Sequence, residues 1–213
     1  YKPYIDLAKK VFPNANIVVD KFHIVQLLTR ELNKLRINEM KKLNTRSREY
    51  KILKRYWKIP LTRKRDLNSI YFYKNRHFKN MTSSIDILDY MLKEFPNLKE
   101  AYDFYQNFLL SISKNDVAML EDILNTRTDE IPMCFRKSIK TLKKLRKYVL
   151  NSLKYDYTNA MVEGKNNKIK VIKRVSYGYR SFRNFKARIM LMERYKIQKG
   201  NIHSYQFAMD AAA

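Results

Sequence analysis

Apolar residues return every three or four positions along most of this chain, the spacing of one helical face. Ile5, Ala8, Val11 and Phe12 outline a short amphipathic helix that ends at Pro13-Asn14. Ile17-Val18-Val19-Asp20 breaks the rhythm and reads as a short buried strand near residue 18. From His23 the helical spacing resumes through Ile24, Leu28, Leu32, Leu35, Met40 and Leu43, with Arg30, Lys34 and Lys41 among the polar positions. That pattern predicts one long amphipathic helix. Arg46 to Asn80 is basic and aromatic, with Pro60 inside it, and shows no clear element boundaries.

Punctuation divides the middle of the chain. Ser84 reads as the N-cap of a helix over Ile85 to Phe95, and Pro96 stops it. Leu98, Ala101, Tyr102, Tyr105, Phe108, Leu109 and Ile112 outline the next helix. Asn115 or Asp116 caps another through Leu124, and Pro132 opens one carrying Phe135, Ile139, Leu142, Leu145 and Val149. Thr158 or Asn159 caps a helix to about Arg174, Gly178 supplies a turn, and Phe182, Phe185, Ile189 and Met192 mark a last apolar stripe. No internal repeat or low-complexity tract appears.

Composition narrows the fold and the partner. Three glycines and five prolines in 213 residues leave few breakers, so the fold class is mainly α. Lys and Arg outnumber Asp and Glu by 45 to 20, a formal charge of +25 that points to a polyanion. Nucleic acid fits better than membrane, because no apolar run approaches the roughly 18 residues of a spanning helix. No signal peptide opens the chain, and the expected location is cytoplasmic. Tyr1 and the closing Ala211-Ala212-Ala213 read as boundaries of a piece of a longer chain, with sequence missing upstream. Cys134, the one cysteine, excludes an internal disulfide and a cysteine-rich zinc site; between Met133 and Phe135 it reads as a buried free thiol.

Two short constellations could carry chemistry. Asn159, Glu163, Asn166 and Lys170 fall at i, i+4, i+7 and i+11 on one helix face, and Val162, Ile169 and Ile172 on the other. Twelve Lys or Arg lie between Lys165 and Lys199. A carboxylate in such surroundings suits a metal ion held beside a phosphate backbone. Equally, Glu163 could merely complement the positive end of its own helix. Asp20 and His23 form a D-x-x-H step at a strand end, readable as a metal-ligand pair or as a helix cap with an imidazole packed beside it. Tyr177, Tyr179, Phe182 and Phe185 interleave with the C-terminal charges, a mix that serves DNA contact or a core. A Gly-rich phosphate loop, a Ser-His-Asp arrangement and a Cys-His zinc pattern are all missing from the sequence, and His77 and His203 have no ligand partners nearby in it.

Taken together, Phe12 to Val25 (FPNANIVVDKFHIV) and Thr158 to Lys170 (TNAMVEGKNNKIK), continued by KRVSYGY over Lys173 to Tyr179, closely resemble the ISL-three family of insertion-sequence transposases. The two blocks bracket a variable helical segment in the family's order. The resemblance implies a partial ribonuclease-H-like α/β core over 1–25, with a large helical insertion over 26–155. It also implies the catalytic-glutamate helix and a basic helix over 156–199, and a tail over 200–213. Glu163 matches the family's metal-binding glutamate, and the two catalytic aspartates lie upstream of Tyr1. Asp20 and His23 match the supporting D-x-x-H element; in a shifted alignment Asp20 is itself the second aspartate, with about 140 residues of insertion before Glu163.

The implied chemistry is Mg²⁺- or Mn²⁺-dependent DNA strand cleavage and joining in the full-length parent. With Glu163 alone, the expectation for this chain is poor metal binding and DNA binding without cleavage. Lys165, Lys168, Lys170, Lys173, Arg174, Arg180 and Arg183 are the expected DNA contacts, and transposon ends the expected partner. A homodimer on paired ends is permitted by the resemblance. The competing reading is a non-catalytic helical nucleic-acid-binding module.

Overall fold

The apolar stripe that begins at Ile24 becomes the axis of the first of two units, 1–157 and 158–213, in a computed structural model that describes residues 2–155, 157–198 and 201–204. In chain order the first unit holds α1 (Lys2–Val11), α2 (Lys21–Lys41), α3 (Arg48–Arg55), α4 (Ser84–Glu94) and α5 (Pro96–Ser113). It continues with α6 (Val117–Asn125), α7 (Arg136–Lys144) and α8 (Arg146–Lys154). The mainly α class is as the sequence predicts.

α2 buries Ile24, Leu28, Leu32 and Arg36 in a line at every fourth position and packs against α3, α5, α7 and α8. Each fully buried Leu or Ile contributes about 1.5–3 kcal/mol, so this stripe holds the helix more firmly than intrinsic propensity does. Leu35, Met40 and Leu43 are partly buried against the same core, which continues through Met91, Leu98, Tyr105, Phe108 and Phe135. Arg36 is the departure from the pattern: 6% exposed among apolar neighbours, it donates from Nη1 to the Leu53 carbonyl at 2.6 Å.

Local caps fix most of the boundaries. Asp116 accepts from the Met119 N–H at 2.9 Å and starts α6, and Pro96 sits at the first position of α5. The cap of α4 is Ser83, one residue before the expected Ser84, because Asp86 completes a capping box with it. The segment after Pro132 is not one helix: a 3-10 turn over Met133–Phe135 leads into α7, and Leu145 separates α7 from α8. Cys134 is half-buried, not buried, and its desolvation pushes the thiol pKa up to about 12, so it stays protonated.

No strand forms at Ile17 to Asp20. The segment has no regular secondary structure, and it bonds to helix α8: the Val19 N–H donates to the Tyr148 carbonyl at 3.3 Å, and Asn151 Nδ2 donates to the Ile17 carbonyl at 2.9 Å. A β-branched run becomes a strand only when another backbone supplies its ladder, and here helix groups satisfy these two positions instead.

The second unit contains α9 (Ala160–Val175), α10 (Phe182–Arg194) and an antiparallel pair, β1 (Tyr195–Gln198) with β2 (Asn201–Ser204). The sequence reading missed this pair, although Tyr195-Lys196-Ile197-Gln198 alternates apolar and polar residues with the period of a strand. Of the tail expected over 200–213, only 201–204 lies within the described residues.

Candidate nucleic-acid interface

α9 and α10 pack against each other across a tight turn, which sets the geometry of the basic residues. Tyr177 and Gly178 both take positive φ, at 51° and 102°, and the Gly178 N–H reaches back to the Lys173 carbonyl at 3.1 Å. This closure satisfies a carbonyl that α9 leaves open at its C-terminus. At Gly178 a Cβ would meet no atom within 4 Å, so the positive φ alone is what calls for glycine.

The aromatic residues sort into two groups. Tyr179 and Phe185 are half-buried with ring centroids 4.9 Å apart, and the Tyr179 and Ser176 hydroxyls are hydrogen-bonded at 2.7 Å, so this pair stiffens the hairpin. Tyr177 and Phe182 stand exposed, as do Lys165, Lys168, Lys170, Lys173, Arg174, Arg180 and Arg183. Lys168 Nζ also donates to the Met192 carbonyl at 3.4 Å, bridging the two helices. Burial along α9 is thinner than the sequence reading has it: Ile172 is buried and Ile169 half-buried, but Val162 is 54% exposed.

Glu163 lies in the first turn of α9, exposed, and its Oε1 accepts from Asn159 Nδ2 at 3.3 Å. Asn159, Glu163, Asn166 and Lys170 share the exposed face that their spacing predicts. The Ala160 N–H donates to Thr158 Oγ1 at 3.1 Å, adding a second polar contact at this helix start.

Asp20 and His23 belong to the first unit, and Glu163 to the second. Asp20 is the N-cap of α2: its Oδ1 accepts from the Phe22 N–H at 2.7 Å, and its carbonyl accepts from the His23 and Ile24 N–H groups. His23 is half-buried with its ring edge-on to Phe22, centroids 5.4 Å apart. The local cap reading of D-x-x-H is therefore what the backbone displays.

Divalent-metal chemistry needs several oxygen or nitrogen ligands converging on one point. Among the described residues no group of three or more His, Cys, Asp or Glu side chains is arranged to hold an ion, and Glu163 offers a single carboxylate. The described residues thus do not by themselves make up a complete metal centre.

Comparison with known proteins brings one relative and one family into view. A Lactococcus lactis subsp. lactis protein described as an ATP-dependent protease is 39% identical over 121 residues, covering 57% of this chain and 38% of the relative. The chain thus aligns with well under half of that relative's length. No solved structure matches. A transposase family model of the ISL-three DDE type matches residues 1–189, which include both sequence blocks, the α2 cap and the α9 glutamate. The chain belongs to the ISL-three family of DDE transposases.

Proposed function

We propose that this chain acts in DNA transposition by gripping transposon-end DNA through the α9–α10 hairpin. In this reading Glu163 is the carboxylate it supplies to a metal-dependent strand-cleavage centre. The observation that carries the proposal is the hairpin: an exposed glutamate in the first turn of α9 is followed, within one unit, by nine exposed Lys and Arg side chains among the described residues. Such a surface meets phosphates along a backbone, and the affinity should fall steeply with salt. Exposed Tyr177 and Phe182 add apolar surface for sugar or base contact.

The remaining carboxylates belong to the full-length protein, whose core would be ribonuclease-H-like, with Asp20 and His23 supporting the site. Two such proteins on paired ends would make the working assembly a homodimer. In isolation this chain binds DNA and does not cleave it.

One observation favours a second reading, a nucleic-acid-binding module without catalysis: among the described residues no two further acidic, His or Cys side chains join Glu163 to hold an ion, and its unit is strongly basic. Mn²⁺-dependent cleavage of labelled transposon-end DNA separates the two. A chain extended upstream should cleave, whereas its Glu163→Gln variant and the 213-residue chain should not. Equal cleavage by the Glu163→Gln variant would remove Glu163 from the chemistry.

A further inference from the structure

Residues 46–80 carry twelve Lys or Arg against Glu49 and Asp66, and the fold gathers part of that charge into one place. Arg46, Arg48, Lys51, Arg76 and His77 line a concavity of about 470 Å³ with no carboxylate in its wall. Two segments build it. Ser47 caps α3 by accepting from the Tyr50 N–H at 3.1 Å, which sets Arg48 and Lys51 at the start of that helix. The opposite side is a loop closed by the Tyr73–Thr82 backbone pair. Within it Asn75 turns the chain, its Oδ1 accepting from the His77 N–H at 3.1 Å and its carbonyl from the Phe78 N–H at 3.0 Å.

Arg48 clamps the two segments. Its Nε donates to the His77 carbonyl at 2.6 Å, and its guanidinium lies 5.0 Å from the Phe78 ring centre and 4.7 Å from that of Tyr90. The Arg46, Lys51 and Arg76 side chains are exposed around this clamp. Like charges held in one concavity repel, and an entering anion relieves that repulsion. His77 registers the field: burial first, then the charges of Arg76, Arg55, Lys51 and Arg48 hold its pKa below the usual 6.5. Its Nε2 accepts from Arg76 Nε at 3.3 Å, consistent with a neutral ring. Nearby in the chain, Asn68 Oδ1 accepts from the Ile70 and Tyr71 N–H groups at 3.1 and 2.9 Å, presenting Tyr71 and Phe72 exposed on the same basic segment.

We propose that the concavity of Arg46, Lys51, Arg76 and His77 binds backbone phosphates of duplex DNA, as a contact on the first unit separate from α9 and α10. The identity of the polyanion rests on the transposase reading; the site depends on neither Glu163 nor the hairpin.

The test is fluorescence anisotropy of labelled transposon-end duplex against the 213-residue chain over a salt series. The Arg46→Ala/Lys51→Ala/Arg76→Ala variant should flatten the slope of log affinity against log salt by about 0.9 for each phosphate that is no longer neutralised, and weaken binding about tenfold or more at about 0.1 M salt. The charge-preserving Arg46→Lys/Lys51→Arg/Arg76→Lys variant should keep the slope, with helical circular dichroism reporting that each variant is folded. A folded alanine variant with unchanged slope and affinity overturns the proposal. The parallel Lys165→Ala/Lys170→Ala/Lys173→Ala variant keeps the two ideas apart. Weaker binding there alone leaves the hairpin reading standing and sinks this one; weaker binding in the first variant alone does the reverse. Binding to anionic phospholipid vesicles that depends on the three residues, with duplex binding intact, would also overturn it.

Discussion

Asn151 Nδ2 donates to the Ile17 carbonyl at 2.9 Å, joining α8 to the segment before α2 across 134 positions of sequence. With the Val19–Tyr148 backbone bond, this holds the stretch before α2 against a helix. Asn151→Ala leaves a partly buried carbonyl without its donor and should lower stability by about 1–3 kcal/mol in urea denaturation. A variant as stable as the parent would mean that Val19 alone anchors the segment.

Arg36 answers a problem at the end of α3. The last carbonyls of a helix have no partner within it, and the Leu53 carbonyl takes one from Arg36 at 2.6 Å while Arg36 Nε donates to Asn33 Oδ1 at 2.9 Å. Burial lowers the guanidinium pKa, yet an arginine remains charged at any pH where the fold survives. Arg36→Met keeps most of the volume but removes the donor, and should cost about 2–4 kcal/mol by chemical denaturation.

Two neighbouring tyrosines of α5 should respond in opposite ways to removal of the hydroxyl. Tyr105 shares its hydroxyl with Thr29 Oγ1 at 2.7 Å and donates to the Leu61 carbonyl at 3.3 Å, whereas the Tyr102 hydroxyl is buried with no hydrogen-bond partner and its pKa is raised to about 12, first by desolvation. Tyr105→Phe should destabilise by about 1 kcal/mol, and Tyr102→Phe should be neutral or stabilising. Paired thermal melts decide it, and equal destabilisation would contradict the assignment.

Asp86 brings a pH dependence. Its pKa sits below the ordinary 3.8 because the Ser83 N–H and hydroxyl both donate to the carboxylate, each favouring the charged form. A depressed folded pKa gives stability that is present above the unfolded value and lost as pH falls through the folded one. Asp86→Asn should therefore melt below the parent at about pH 7 and converge with it at pH values well under 3.8. A constant gap across that range would assign the effect to shape and not charge.

The helices were legible wherever the information was local. Ile24, Leu28 and Leu32 announce α2 by spacing alone, Asp116 marks the start of α6, and Pro96 marks the end of α4, all from neighbouring residues. The Glu163 face was legible for the same reason, and the two family blocks extended it to a function that the family match bears out at the level of a DNA transposase.

What the chain could not announce is what depends on distant partners. Ile17 to Val19 has the composition of a strand, but whether a strand forms is decided by which groups lie beside it, and α8 arrives from about 130 residues away. Arg36 looks like one more solvent-facing charge until Leu53 is brought over it. The charges of residues 46–80 are visible in the sequence as a count, while their convergence on one concavity comes from Arg48 bridging a helix start to a loop 29 positions on. Periodicity, capping and charge are properties of neighbours along the chain, and the sequence determines them; pairing, desolvation and the gathering of like charges are properties of neighbours in space, and only the tertiary structure decides those.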